Sequence, residues 1–154
     1  MQPSEHPCTG IELQQFRDRC RASGFALTHQ REVIFRAVCE LNNHPTPEAV
    51  YERVKSQLPS ISLGTVYKNL KTFLEAGLLR EVSPLHGSLR VDANTAAHSH
   101  VVCTRCRAVY DLHEGDIEPA RLLVPLPAGF QLRRAAVEFY GLCANCASGA
   151  AVKF

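Results

Sequence analysis

The sequence predicts an α+β protein in two parts, an amino-terminal winged helix and a small carboxy-terminal α/β domain built around a four-cysteine zinc site. Three observations carry this reading. Four helical periodicities in a row end in a short hairpin, two Cys-x-x-Cys units follow with 36 residues between them, and the 154-residue length admits one large or two small domains. Two small ones are favoured. Hydrophobic residues at 45% and charged residues at 21% exclude disorder as the general state. The longest apolar stretches, such as residues 122–126, fall far short of the ~20 residues of a membrane helix. The chain also starts without a basic-then-apolar signal pattern, so a cytoplasmic location is expected.

Ile11, Leu13, Phe16 and Cys20 recur at helical spacing before Gly24, which predicts the first helix. Thr28 can cap a second, whose Val33, Ile34, Ala37, Val38 and Leu41 line one face as far as Asn42-Asn43. Thr46-Pro47 joins a good cap to a proline at the first helical position; Val50, Tyr51, Val54 and Leu58 follow, and Pro59 stops the pattern. Ser62 can cap a fourth helix carrying Val66, Leu70, Phe73 and Leu74, ended by Gly77. Two apolar runs, residues 78–82 and 89–92, then flank a turn-rich loop at 83–88 and read as a hairpin.

Helices closed by a two-stranded ribbon follow the order of a winged helix, in which the helix before the ribbon enters the DNA major groove. Here that helix is 62–76. Its predicted exposed positions are Ser62, Thr65, Tyr67, Lys68, Asn69 and Lys71, which offer hydroxyl and amide groups to base edges and ammonium groups to phosphates. A plain solvated helix face is the alternative. Net charge is only +2, yet 11 basic and 9 acidic residues stand before Asp92 and 6 of each from there on, so the excess lies in this first part.

In the second part, Cys103, Cys106, Cys143 and Cys146 can close a tetrahedral zinc site, one ion per chain. A redox or disulfide pair is the alternative, disfavoured in a reducing compartment. Bound zinc contributes on the order of 10 kcal/mol to folding, which a domain this small needs. The stretch between the knuckles is long enough for a strand, a helix and another strand. Reversal of the chain at the first knuckle is expected to set His98 opposite Asp111, while His98 and His100, two apart, share one side of an extended strand. With Asp92 ending the wing, these four groups can converge on an ion. Imidazole and carboxylate donors without a thiolate favour Fe(II) or Mn(II), although an HxH pair is also common on plain surface strands.

The ordered motifs Leu27-Thr28-His29-Gln30-Arg31, His44-Pro45-Thr46, Ser62-Leu63-Gly64-Thr65-Val66-Tyr67, Arg90-Val91-Asp92, His98-Ser99-His100, Cys103-Thr104-Arg105-Cys106 and Tyr140-Gly141-Leu142-Cys143-Ala144-Asn145-Cys146 together resemble the Fur family of metal-dependent repressors. Within that family the chain is most similar to the peroxide-sensing PerR branch. The resemblance implies a regulatory site of His44, Asp92, His98, His100 and Asp111, taking one Fe2+ or Mn2+ per chain. Iron sensors of the family usually carry glutamate at the places of Asp92 and Asp111, and its zinc sensors usually carry cysteine at the place of Asp92. Ala97 and Arg133-Arg134 stand where a further histidine-rich site is often found, so that site is not expected. Ala26 replaces a frequent basic minor-groove contact, Arg107 stands where glycine is usual after the knuckle, and Lys68 occupies a variable position.

The same resemblance implies a homodimer, joined through the sheet of the second domain, that binds a palindromic operator in double-stranded DNA. Residues 1–92 then form the DNA-binding domain and 93–154 the dimerisation and metal-binding domain, with a hinge at about 92–98. Oxidation of His44 or His98 to 2-oxo-histidine would release the metal and the DNA. A repressor that answers only to iron or manganese level is the alternative within the family. A non-heme iron enzyme is a distant one, since it leaves the winged helix unexplained. Cys20, Cys39, Tyr51, Phe73, Phe130 and Phe139 are expected in the core, Cys8 in the amino-terminal segment, and His6, His29, His86 and His113 at the surface, the last as a neighbour of Asp111.

Overall fold

A computed structural model of the chain describes residues 10–42, 44–82, 87–96, 98–112, 115–118, 122–132, 135 and 137–149. Expectations for His6, Cys8, Asn43, the loop residues 83–86, Ala97, His113, Arg133 and Arg134, and for the side chain of Ile11, lie outside the described residues. The fold divides into two units between Thr95 and Ala96.

The first unit opens with α1 (Gly10–Ala22), α2 (His29–Leu41), α3 (Pro47–Val54) and α4 (Leu63–Glu75). Three begin at a side-chain cap: Thr28 accepts from the Arg31 amide (3.3 Å), Thr46 from Ala49 (3.3 Å) and Ser62 from Thr65 (3.1 Å). Each cap satisfies an amide that has no partner inside its helix. The third helix ends four residues before Leu58, because residues 55–57 leave the α-helix for a turn in which the Gln57 amide bonds Val54 (2.9 Å). Gly77 ends α4 with φ +65°, the left-handed conformation that glycine adopts at least cost.

Phe16, Phe35 and Phe73 meet at the centre of this unit. The rings of Phe16 and Phe35 stack at 4.1 Å, and Phe73 stands edge-on to both at 5.3 and 6.2 Å. One ring from each of α1, α2 and α4 thus locks three helices together. Ile34, Val38, Val50, Val54, Val66 and Leu70 fill the space around them, and Cys20 and Cys39 are buried in the same core, as expected. The wing follows as β1 (Arg80–Glu81) and β2 (Val91–Asp92), antiparallel, with Arg80 opposite Asp92.

The second unit holds β3 (Ser99–Cys103), β4 (Val109–Leu112) and β5 (Glu138–Gly141), in the order β4-β3-β5, and a short α5 (Ala144–Ala147). Strand β3 pairs antiparallel with β4 and parallel with β5. The register differs from expectation: His100, not His98, lies opposite Asp111. The turn is longer than the knuckle alone, with Arg107 at φ +60° and the Cys103 amide bonding Ala108 (2.9 Å). A two-residue shift leaves every side chain on its original face.

No helix stands between the knuckles among the described residues, contrary to the expected strand, helix and strand. Pro125 and Pro127 remove two amide donors within three residues, and Gly129 has φ +80°, a combination that does not continue a helix. Phe130 and Phe139 also depart from expectation. They are 57% and 46% exposed, Phe130 in this loop and Phe139 on β5, where no layer covers the face among the described residues of the unit.

Phe73 is fully buried against two other rings, so Phe73→Ala is expected to destabilise the first unit by about 3 to 5 kcal/mol in a chemical denaturation experiment followed by helix signal.

Candidate functional site

Strand β3 runs straight into the first knuckle and β5 into the second, and their parallel pairing sets Cys103 opposite Gly141, two residues before Cys143. The four sulfurs of Cys103, Cys106, Cys143 and Cys146 consequently lie within 4.8 Å of one another, with Cys106 and Cys143 Sγ at 3.7 Å. Backbone groups tighten the arrangement: the Thr104 amide bonds Gly141 (2.9 Å), and the Cys143 amide donates to Cys103 Sγ (3.4 Å). That amide and the neighbouring one of Cys106 hold the Cys103 thiol down at about 6. Burial, by contrast, pushes the Cys146 thiol up to about 12. Four sulfurs clustered without a disulfide, one stabilised as thiolate, form the donor set that tetrahedral zinc takes.

A second donor group in this unit centres on Asp111 of β4. Its Oδ1 lies 3.5 Å from Nε2 of His98 and 3.5 Å from Nε2 of His100. The two imidazoles pack edge to face at 4.6 Å. His98 Nδ1 lies 2.9 Å from the Ala96 carbonyl, which can only accept, so this nitrogen carries the ring proton. In the neutral ring, Nε2 then presents a lone pair toward a carboxylate oxygen, an arrangement that a cation between the two acceptors satisfies. His100 and Ser99 are buried, so this group sits where water does not readily screen it.

In the first unit, His44 stands just ahead of α3 and Asp92 ends β2. His44 is 4% exposed, and its Nε2 lies 3.8 Å from Asp92 Oδ2. The other carboxylate oxygen, Oδ1, accepts the Asn94 amide at 2.8 Å, which aims Oδ2 at the imidazole. Each unit therefore brings a histidine and carboxylate set together, without a thiolate. Such sets suit Fe(II) or Mn(II) better than ions that seek sulfur.

Along α4, Tyr67, Lys68 and Lys71 are exposed on one face, and Ser62 is exposed at the helix start. Thr65 is half-buried, with its hydroxyl 2.9 Å from that of Ser62. Asn69 corrects the sequence reading: it is 8% exposed, its amide group donates to the Thr65 carbonyl (2.8 Å), and its oxygen accepts from Arg31 Nε (3.3 Å). One residue of rotation around the helix turns it from the lysine face toward α2. Sequence reasoning also missed Glu48, whose carboxylate accepts from the Tyr67 hydroxyl (2.8 Å) and is held below its ordinary range by that bond. Its place in the first turn of α3 is the only sequence signal, and that position suits an acidic residue for the helix dipole alone.

The model of the ferric uptake regulator family matches residues 22–140. The peroxide-responsive repressor PerR of Staphylococcus epidermidis is 30% identical over 135 residues, covering 88% of this chain and 90% of that protein. Among solved structures, the ferric uptake regulator Fur of Helicobacter pylori superimposes with a TM-score of 0.70 at 17% identity, covering 96% of this chain and 97% of that one. The Campylobacter jejuni peroxide stress regulator gives 0.58 at 28% identity, covering 86% and 96%.

Zinc binds thiolates, so acid should expel it by protonating the sulfurs. The metal-free Cys103 thiol loses its proton above about 6, and bound zinc holds the thiolates to still lower pH, so zinc release to a chromogenic chelator is expected only below that value. Cys146→Ser should lower the zinc content measured by elemental analysis to a small fraction at any pH.

Proposed function

This chain belongs to the ferric uptake regulator family and is a metal-responsive regulator of that kind, and we propose that it senses peroxide. In this reading it is a cytoplasmic homodimer, not an enzyme, that represses transcription from a palindromic operator while a regulatory ion is bound. Residues 1–92 bind DNA and 93–154 carry dimerisation and the zinc site, with a hinge at about 92–98. His44, Asp92, His98, His100 and Asp111 hold the ion, and Cys103, Cys106, Cys143 and Cys146 hold zinc. The observation that carries the reading is the donor chemistry: histidine nitrogens set against Asp111 and Asp92 oxygens at 3.5 to 3.8 Å, with no cysteine among them.

Ligands drawn from both parts of the chain let binding energy favour one arrangement of the DNA-reading helices over others, which is how an ion at a distance governs operator affinity. Five imidazole and carboxylate donors without a thiolate suit a borderline ion and would leave room for one further small ligand. Bound Fe(II) would supply the electron that activates peroxide beside an imidazole, whereas Mn(II) would supply binding without that reactivity. The imidazole of His44 or His98 would gain one oxygen at a ring carbon in place of hydrogen and return to the iron the electron it lent, the second oxygen of the peroxide would leave as water, and the oxidised ring would be a poorer donor. Weaker ligation then releases the operator. The relatives of similar sequence that are named for peroxide response support this branch over one that answers to metal level alone.

On DNA, Lys68 and Lys71 supply phosphate contacts from the exposed face of α4, and Ser62, Thr65 and Tyr67 supply hydroxyl groups. Asn69, named with them from sequence, contributes by holding the helix from behind through Arg31. The exposed Phe139, Tyr140 and Leu142 of the β5 region are the surface offered to the second subunit.

Peptide mass spectrometry tests the sensing step. After anaerobic Fe(II) loading and brief exposure to dilute peroxide, one added oxygen is expected on His44 or His98, and none on the Mn(II)-loaded control. Unmodified histidines together with operator binding that tracks free metal would instead assign the protein to metal-level sensing. For the DNA face, Lys71→Ala is expected to weaken Mn(II)-loaded operator binding about uniformly across operator sequences and to reduce the salt dependence by about two counterions per dimer, one for each lysine removed, read from fluorescence anisotropy at several ionic strengths.

A further inference from the structure

His44 is held in a backbone conformation that is uncommon for any residue but glycine. Its φ is +49°, in the left-handed region, and the residue is almost fully buried. Two hydrogen bonds fasten the segment. Arg90 Nη1 donates to the His44 carbonyl at 3.0 Å, and the Val91 amide donates to the Pro45 carbonyl at 3.2 Å. Both donors belong to the stretch that leads into Asp92. The carbonyl of Arg90 in turn accepts the Val82 amide at 3.0 Å, immediately after β1.

One arginine therefore stands between three things: the bend that presents the His44 imidazole, the strand end that presents the Asp92 carboxylate, and the pairing of the two wing strands. We propose that Arg90 is a positioning residue for the regulatory ligand pair, locking the left-handed bend at His44 so that its imidazole meets Asp92, and that through β2 it couples this pair to the wing. The argument rests on the reading that His44 and Asp92 are metal ligands. A guanidinium suits the task because its planar fork keeps a donor aimed at a carbonyl with little freedom to swing, while a lysine ammonium on the same stem wanders. The Val91 bond lies beside it and is made by backbone, so side-chain replacement at 90 does not remove it but lets it open more often.

The test uses the full-length zinc-loaded protein with Arg90→Gln and Arg90→Lys, and with His44→Ala alongside. Mn(II) affinity is read from the electron paramagnetic resonance of the free ion, and amide hydrogen exchange is read at Val91 and Val82 in the absence of Mn(II). Arg90→Gln is expected to weaken Mn(II) binding by about 10- to 100-fold, as loss of a group that orients a ligand does. Exchange at Val91 and Val82 should quicken, and zinc content should stay unchanged. Arg90→Lys should recover part of the affinity. Parent-like Mn(II) affinity in Arg90→Gln, with His44→Ala impaired, overturns the proposal and leaves the ligand assignment standing. Parent-like affinity in His44→Ala overturns the ligand assignment itself. If Arg90→Gln does not fold, Arg90→Lys decides: parent-like affinity and exchange overturn the proposal, and a loss of about threefold or more with faster Val91 exchange supports it.

Discussion

Strand β3 is hydrogen-bonded along both edges, and most of what the second unit can do depends on that double pairing. Its antiparallel partner brings Asp111 beside the two histidines, and its parallel partner brings the second knuckle up to the first. A strand paired on one edge could slide by two residues and still bury the same face; with β5 in register on the other edge, a slide would separate the sulfurs. The cysteine cluster and the histidine-carboxylate cluster are thus set by one register. Conversely, an ion bound by four thiolates holds that register from its end, which matters in a sheet of three short strands with little core of its own.

The first unit solves a different problem. Its three phenylalanine rings and the aliphatic side chains around them make a core that needs no metal, and on it rest two features that are locally unfavourable or exposed. One is the left-handed bend at His44; the other is the face of α4 that carries Tyr67, Lys68 and Lys71. Asn69 and Arg31 join that helix to α2 from the buried side, with the Arg31 guanidinium stacked over Phe25 at 4.2 Å. A cation held this way serves the placement of the helix, while the lysines on the opposite face keep their charge exposed.

Much of this was legible in the residues themselves. Thr28, Thr46 and Ser62 announce helix starts because a short hydroxyl side chain has few better uses ahead of an apolar periodicity, and Gly77 announces an end. The cysteine spacing and the His98-Ser99-His100 pair pointed to the two donor sets. What was not legible depends on how many residues a turn consumes and on what lies behind a surface. The knuckle turn takes in Ala108, which moved the partner of Asp111 from His98 to His100. Asn69 looks like its lysine neighbours until α2 is placed behind it. Phe130 and Phe139 look like core until it is seen that no second layer lies over them among the described residues of their unit. The prolines at 125 and 127 were visible, yet the length between the knuckles suggested a helix; composition should have outweighed length there.

The bend at His44 also bears on how such a centre can change its preferred ion over time. Among side chains that bind metals, histidine and aspartate populate a left-handed backbone several-fold more often than most, so cysteine or glutamate would add about 1 kcal/mol of strain there. A thiolate entering at this position by a single substitution would add that strain to the turn between α2 and α3. The backbone thereby biases the ligand alphabet before any ion arrives, and a drift toward sulfur-seeking metals starts more easily elsewhere in the site, at positions such as Asp92 that lie in ordinary extended chain.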